Sequence, residues 1–163
     1  MSAEQISEMV LDLYAARSEA REYLDFFVSP DIEKKLDKSR LSIKKEMSRN
    51  SKGRNKSRST RIRRFIKDIS SLNPGAEPVA EIMTFAVETF CEVGSDQIIK
   101  TSVQNGYARL LHDTIVYIND AGLVGDYLPR IEKAVDSMSS SWWRGNEFKK
   151  LLKQELKETM ESL

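Results

Sequence analysis

The chain has 163 residues, 40% of them apolar and 31% charged, with a formal net charge of +1, the balance of one soluble globular domain with a single core. No run longer than eight residues lacks a charge, which excludes a membrane-spanning helix, and the polar start Met1-Ser-Ala-Glu-Gln-Ile predicts no secretory signal. The lone Cys91 excludes an internal disulfide, so a cytoplasmic protein is expected.

Four prolines and seven glycines are few and sit at punctuation points, which favours helices over a turn-rich β fold. The first predicted helix runs from about Glu4 to Phe27, with Ser2 and Gln5 in capping-box spacing. Ile6, Met9, Val10, Leu13, Ala20, Leu24 and Phe27 recur on it at helical intervals. Ser29-Pro30-Asp31 closes that helix and opens the next, with Ser29 as the expected cap. The second helix, about Pro30 to Met47, is two-sided. Ile32, Leu36, Ser39, Ile43 and Met47 share one side, and Lys34, Lys38 and Lys45 the other, with Arg49 and Lys52 if the helix continues that far.

Residues 48–57 contain no apolar side chain and read as a basic loop. The third helix spans roughly Ser57 to Leu72, with Ile62, Phe65, Ile66, Ile69 and Leu72 inward, Arg63, Arg64 and Lys67 outward, and Arg58 near the apolar side. Asn73-Pro-Gly75 is a break. The fourth helix, about Glu77 to Glu92, is the most apolar, and Gly94 is its expected C-terminal cap. Ser95 or Asp96 then caps a fifth helix reaching Asn119, in which Gly106 predicts close packing against a neighbour. Asp120-Ala-Gly122 ends it. The sixth helix starts near Asp126, with Pro129 in its first turn, and the seventh runs from Asn146 to about Met160. The expected fold is all-α: a single-domain antiparallel helical bundle or helical-hairpin array of about seven helices over residues 1–163.

Near-neutrality hides a strong asymmetry. Residues 34–67 carry fifteen Lys and Arg against Asp37 and Glu46, a net of +13, leaving 11 of the 26 bases and 23 of the 25 acids to the flanks, a net of −12. Such a segment attracts polyanions or an acidic protein surface. The candidate contacts are Lys34, Lys38, Lys45, Arg49, Lys52, Arg54, Lys56, Arg63, Arg64 and Lys67. Phe65 is the only aromatic residue in the segment and belongs to the core face, which weighs against base stacking. Glu77, Glu81, Glu88 and Glu92 repeat the spacing of Lys34, Lys38, Lys45 and Arg49, so the two stripes are expected to neutralise each other in part, within the molecule or between copies.

Trp142 and Trp143 lie together in a linker, one expected buried and the other partly exposed as a partner anchor. One Cys and one His form no metal set in a familiar spacing, His112 falls opposite the apolar side of its helix, and no nucleophile elbow or phosphate loop occurs. No cofactor and no enzymatic activity are expected. The leading expectation is a protein-interaction or self-association module; the alternative is sequence-tolerant nucleic-acid binding through 34–67.

Leu13-Tyr14, Tyr23-Leu24-Asp25-Phe26, Ser29-Pro30-Asp31, Lys44-Lys45-Glu46, Arg58-Ser59, Leu72-Asn73-Pro74, Glu81-Ile82-Met83 and Val87-Glu88 together resemble a family of uncharacterised bacterial proteins, a domain of unknown function. The resemblance implies an all-helical bacterial cytosolic protein and brings no activity with it.

Overall fold

The computed structural model describes residues 1–48, 58–139 and 143–163, with side chains in the last segment from 146 onward. Among them are eight helices and no strand: α1 (Ala3–Ala16), α2 (Ser18–Val28), α3 (Ile32–Met47), α4 (Ser59–Ser70), α5 (Ala76–Asp96), α6 (Thr101–Asp120), α7 (Val124–Ser137) and α8 (Trp143–Ser162). The all-α expectation holds, with one helix more than the sequence pattern indicates.

The extra helix comes from a break where one continuous helix was expected. Arg17 is extended, at φ −129° and ψ 121°, and no proline or glycine announces it. Arg21 supplies the local reason. Its guanidinium donates to the carbonyls of Tyr14 (3.3 Å) and Ala15 (3.4 Å), taking up acceptors that the end of α1 leaves without helical partners. The Ser2–Gln5 capping box forms as expected, with both reciprocal bonds present.

Asp31, not Ser29, caps α3: its carboxylate accepts from the Lys34 N–H at 3.1 Å. Leu36, Ile43 and Met47 are then buried, as the periodicity predicts. Gly75 sits at φ 96° before α5, a conformation that a side chain would strain, so the chain reverses there.

Helix α5 is the centre of the fold. It packs against α3, α4, α6, α7 and α8 and buries residues on nearly all sides, from Val79 to Gly94. Phe90 stacks on Tyr107 of α6, centroids 4.9 Å apart, and both lean on Phe148 of α8. Gly94 does not cap α5. It lies buried inside the helix, where a β-carbon would stand 2.7 Å from the Phe148 ring. Gly106 does mark close packing: a β-carbon there would overlap Ser59 of α4. Helix α6 begins at Thr101 rather than at Ser95 or Asp96, and Pro129 falls inside α7, which starts at Val124. The Asp120–Gly122 stop is correct: the Leu123 N–H reaches the Ile118 carbonyl at 2.7 Å, with Gly122 at φ 69°.

The first two helices stand apart from this core. Neither α1 nor α2 contains a buried residue, and every residue of α1 except Tyr14 is exposed.

Candidate functional site

Because α3 turns Leu36, Ile43 and Met47 inward against α5, helical geometry points Lys34, Lys38 and Lys45 to the opposite side. All three are exposed, and none has a carboxylate within ion-pair distance among the described residues. Leu41 lies among them on the same face and is 69% exposed.

Helix α4 contributes less than its composition suggests. Arg64 and Lys67 are exposed, but Arg63 is half-buried and engaged by Asp113 of α6. Arg61 is held by Glu46 at 3.1 Å. Arg58 is exposed at the cap of α4 and not against its apolar side, so it needs no buried partner. Of the other candidates, Arg49, Lys52, Arg54, Lys56 and Trp142 lie outside the described residues, as does most of the basic loop at 48–57. Trp143 opens α8, and its side chain lies outside them too.

The glutamate stripe of α5 is used internally, though with other partners than its spacing suggests. Arg130 of α7 clasps Glu88 through two bonds of 3.0 Å and Glu81 through bonds of 2.6 and 3.3 Å. Arg40 of α3 adds a bond to Glu81 at 3.3 Å and one to Asp37 at 2.9 Å. The two outer members, Glu77 and Glu92, remain exposed. Sequence reasoning missed Arg130; the signal available was a pair of glutamates seven residues apart on one face of a mostly buried helix, which requires a cation opposite.

The Arg130 hydrogen bonds and charge, with Arg40 behind them, hold the Glu81 carboxyl below its usual value of 4.5 despite partial burial. A depressed carboxylate stabilises the fold above its unfolded pKa and loses that contribution as pH falls through the folded one. Glu81→Gln is therefore expected to cost about 1–2 kcal/mol at neutral pH, discounted for partial exposure. Its gap from wild type should narrow at about pH 3.5. Urea melts at both pH values check this; equal gaps would mean that the carboxylate charge carries nothing.

Beside the basic face, the end of α2 and the start of α3 form an open groove of about 720 Å³, lined by Phe26, Leu41, Lys34, Lys35, Lys38 and the acids Asp25, Asp31 and Asp37. The acids are already engaged: Asp25 accepts from the Tyr14 hydroxyl, Asp31 caps α3 and Asp37 holds Arg40. Lys35 pairs with Glu22 at 3.8 Å. Lys34 and Lys38 have no carboxylate within ion-pair distance among the described residues.

Elsewhere among the described residues, Cys91 and His112 are the side chains with distinctive chemistry. Cys91 is buried, and its thiol is pushed well above its ordinary range by burial and by Glu88. His112 lies at the surface side of α6 as expected, its side chain 46% exposed, with Nδ1 2.9 Å from Thr159 Oγ1 and 3.2 Å from Glu155 Oε1, tying α6 to α8. Among the described residues, no group of three or more His, Cys, Asp or Glu could hold a metal, and no helix is long and apolar enough to cross a membrane.

Among the described residues, fold and surface together define an all-helical protein with a lysine-rich face on α3 in which Leu41 is exposed. The chain belongs to the family of unknown function DUF6155, whose model matches residues 1–155, well beyond the residues that carry the resemblance in the sequence. Nothing among curated proteins or solved structures matches it.

Proposed function

We propose that this chain is a bacterial cytosolic interaction module that acts by binding and not by catalysis, and that its contact surface is the outward face of α3 with the adjoining groove. The observation that carries this reading is Leu41, 69% exposed among lysines that have no carboxylate within ion-pair distance among the described residues. An acidic, partly apolar protein surface satisfies both features at once: carboxylates meet Lys34, Lys38 and Lys45, and an apolar side chain covers Leu41.

The second reading is a phosphate backbone, with Lys34, Lys38, Lys45, Arg64 and Lys67 as contacts. The same lysines favour it, but a sugar–phosphate chain has no use for Leu41, and Phe65 packs against the core.

The test is retention from a native lysate on immobilised wild-type chain and on the Lys34→Glu/Lys38→Glu/Lys45→Glu variant, each with and without nuclease. Protein retention that survives nuclease and disappears in the variant supports the first reading. Retention abolished by nuclease moves the assignment to nucleic acid. Identical retention by wild type and variant removes the surface from consideration.

A further inference from the structure

The first two helices form an acidic arm. Residues 1–28 carry Glu4, Glu8, Asp12, Glu19, Glu22 and Asp25 against Arg17 and Arg21, a net of −4, and they precede the strongly cationic segment 34–67. Among the described residues, α2 packs along its length only against α1. Neither helix has a buried residue, and Ile6, Met9, Val10 and Leu13 of α1 are each at least 36% exposed. An element that buries so little opens far more readily than the core. The joint between the arm and α3 is Ser29-Pro30.

Charge holds this arm against the body. The Glu22 carboxylate of α2 lies 3.8 Å from Nζ of Lys35, a half-buried lysine at the edge of the cationic face. The Glu19 carboxyl is kept below its usual value first by its own backbone N–H and the Ser18 hydroxyl, then by the charges of Arg17 and of Arg64 on α4. The acids of α2 are thus within electrostatic reach of both α3 and α4. Apolar closure is incomplete. Tyr23, Phe26 and Phe27 line an open cleft of about 290 Å³ with Leu72 and Asn73, and Phe26 and Leu41 share the open groove beside α3.

We propose that the α1–α2 arm is autoinhibitory: the acids of α2 occupy one flank of the cationic surface in place of an acidic protein partner, and the arm swings off about Ser29-Pro30 when that partner binds. Glu22 and Glu19 stand where partner carboxylates go, so the partner displaces them to reach Lys35 and Arg64. Its advantage over the arm is differential. It also meets Lys34, Lys38 and Lys45, which have no carboxylate within ion-pair distance among the described residues. The arm competes as an intramolecular ligand at high effective concentration, and apparent affinity falls in proportion to the open fraction. This inference rests on the reading of the α3 face as a binding surface and supplies its regulation.

The test uses the full chain and a fluorescein-labelled peptide of alternating Glu and Leu, with binding read by fluorescence anisotropy in about 0.05 M NaCl. Glu19→Gln/Glu22→Gln should bind the peptide about threefold more tightly than wild type, with unchanged circular dichroism because both positions are exposed. Glu92→Gln/Glu132→Gln makes the same change in net charge at exposed positions on α5 and α7 and should bind as wild type does. Glu22→Cys/Lys35→Cys, joined by a bis-maleimide with a disulfide in its spacer, holds the arm closed; Cys91 is buried and stays out of the reaction. The joined chain should bind about tenfold or more weakly than the same chain after the spacer is reduced. Equal binding before and after reduction would overturn the inference, as would an equal gain from the Glu92/Glu132 control, which would assign the effect to net charge. If Lys34→Glu/Lys38→Glu/Lys45→Glu abolishes binding while the spacer and the Glu19/Glu22 variant change nothing, the proposed surface stands and only the arm's role falls. If that triple variant binds as well as wild type, or no form of the chain binds, both fall.

Discussion

Phe90→Ala is expected to destabilise the protein by about 3–5 kcal/mol, the range for a large aromatic side chain removed from a close-packed interior. Phe90 is 0% exposed, and its ring lies at 8° to that of Tyr107 and 6.3 Å from that of Phe148. It is where α5, α6 and α8 meet. The two flanking rings come from different helices and cannot both move inward to fill the space, so the cavity persists. Urea unfolding followed by far-ultraviolet circular dichroism measures the loss. A change of less than about 1 kcal/mol would mean that the three rings are not a common core.

Gly94→Ala comes next and runs against helix propensity. Alanine should gain up to about 1 kcal/mol over glycine within a helix. Here its β-carbon would stand 2.7 and 2.8 Å from two atoms of the Phe148 ring and 3.1 Å from the Met138 side chain. The ring is held on its other sides by Phe90 and Tyr107, so relief requires α8 to move. Overpacking of this kind costs about 1–3 kcal/mol, and the net effect is destabilising. Gly125→Ala is the matched control, since that position on α7 has nothing within 4 Å of the added carbon and should gain stability. Thermal melts of the pair decide the matter: two variants shifting in the same direction would show that propensity, not the Phe148 contact, governs both.

Both predictions concern residues whose type was visible in the sequence but whose role was not. Gly94 reads as a helix stop because glycine so often ends helices, yet α5 continues through it to Asp96. Its function depends on a ring 54 positions away in the chain, which no local pattern encodes. Arg17 illustrates the opposite case. Nothing near it breaks helices, and the break is supported by Arg21 reaching back to the carbonyls of Tyr14 and Ala15.

The binding surface divides in the same way. That Lys34, Lys38 and Lys45 share a side of α3 followed from residue spacing, and they are exposed. That Arg63 is taken by Asp113, Arg61 by Glu46 and Arg40 by Glu81 did not, because each partner lies on another turn or another helix. The large positive charge of the segment is thereby reduced to a narrower lysine face with Leu41 among its members.

The linear order of residues determined the helical class, the inward and outward sides of α3 and α4, and the stops at Asn73–Gly75 and Gly122, since these depend on interactions within a few residues. Only the packed fold decided which cations stay uncommitted, why Gly94 must be small, and that α1 has an apolar stripe with no cover. Those outcomes depend on groups brought together across the chain, where distance in space and exclusion of water set the energy.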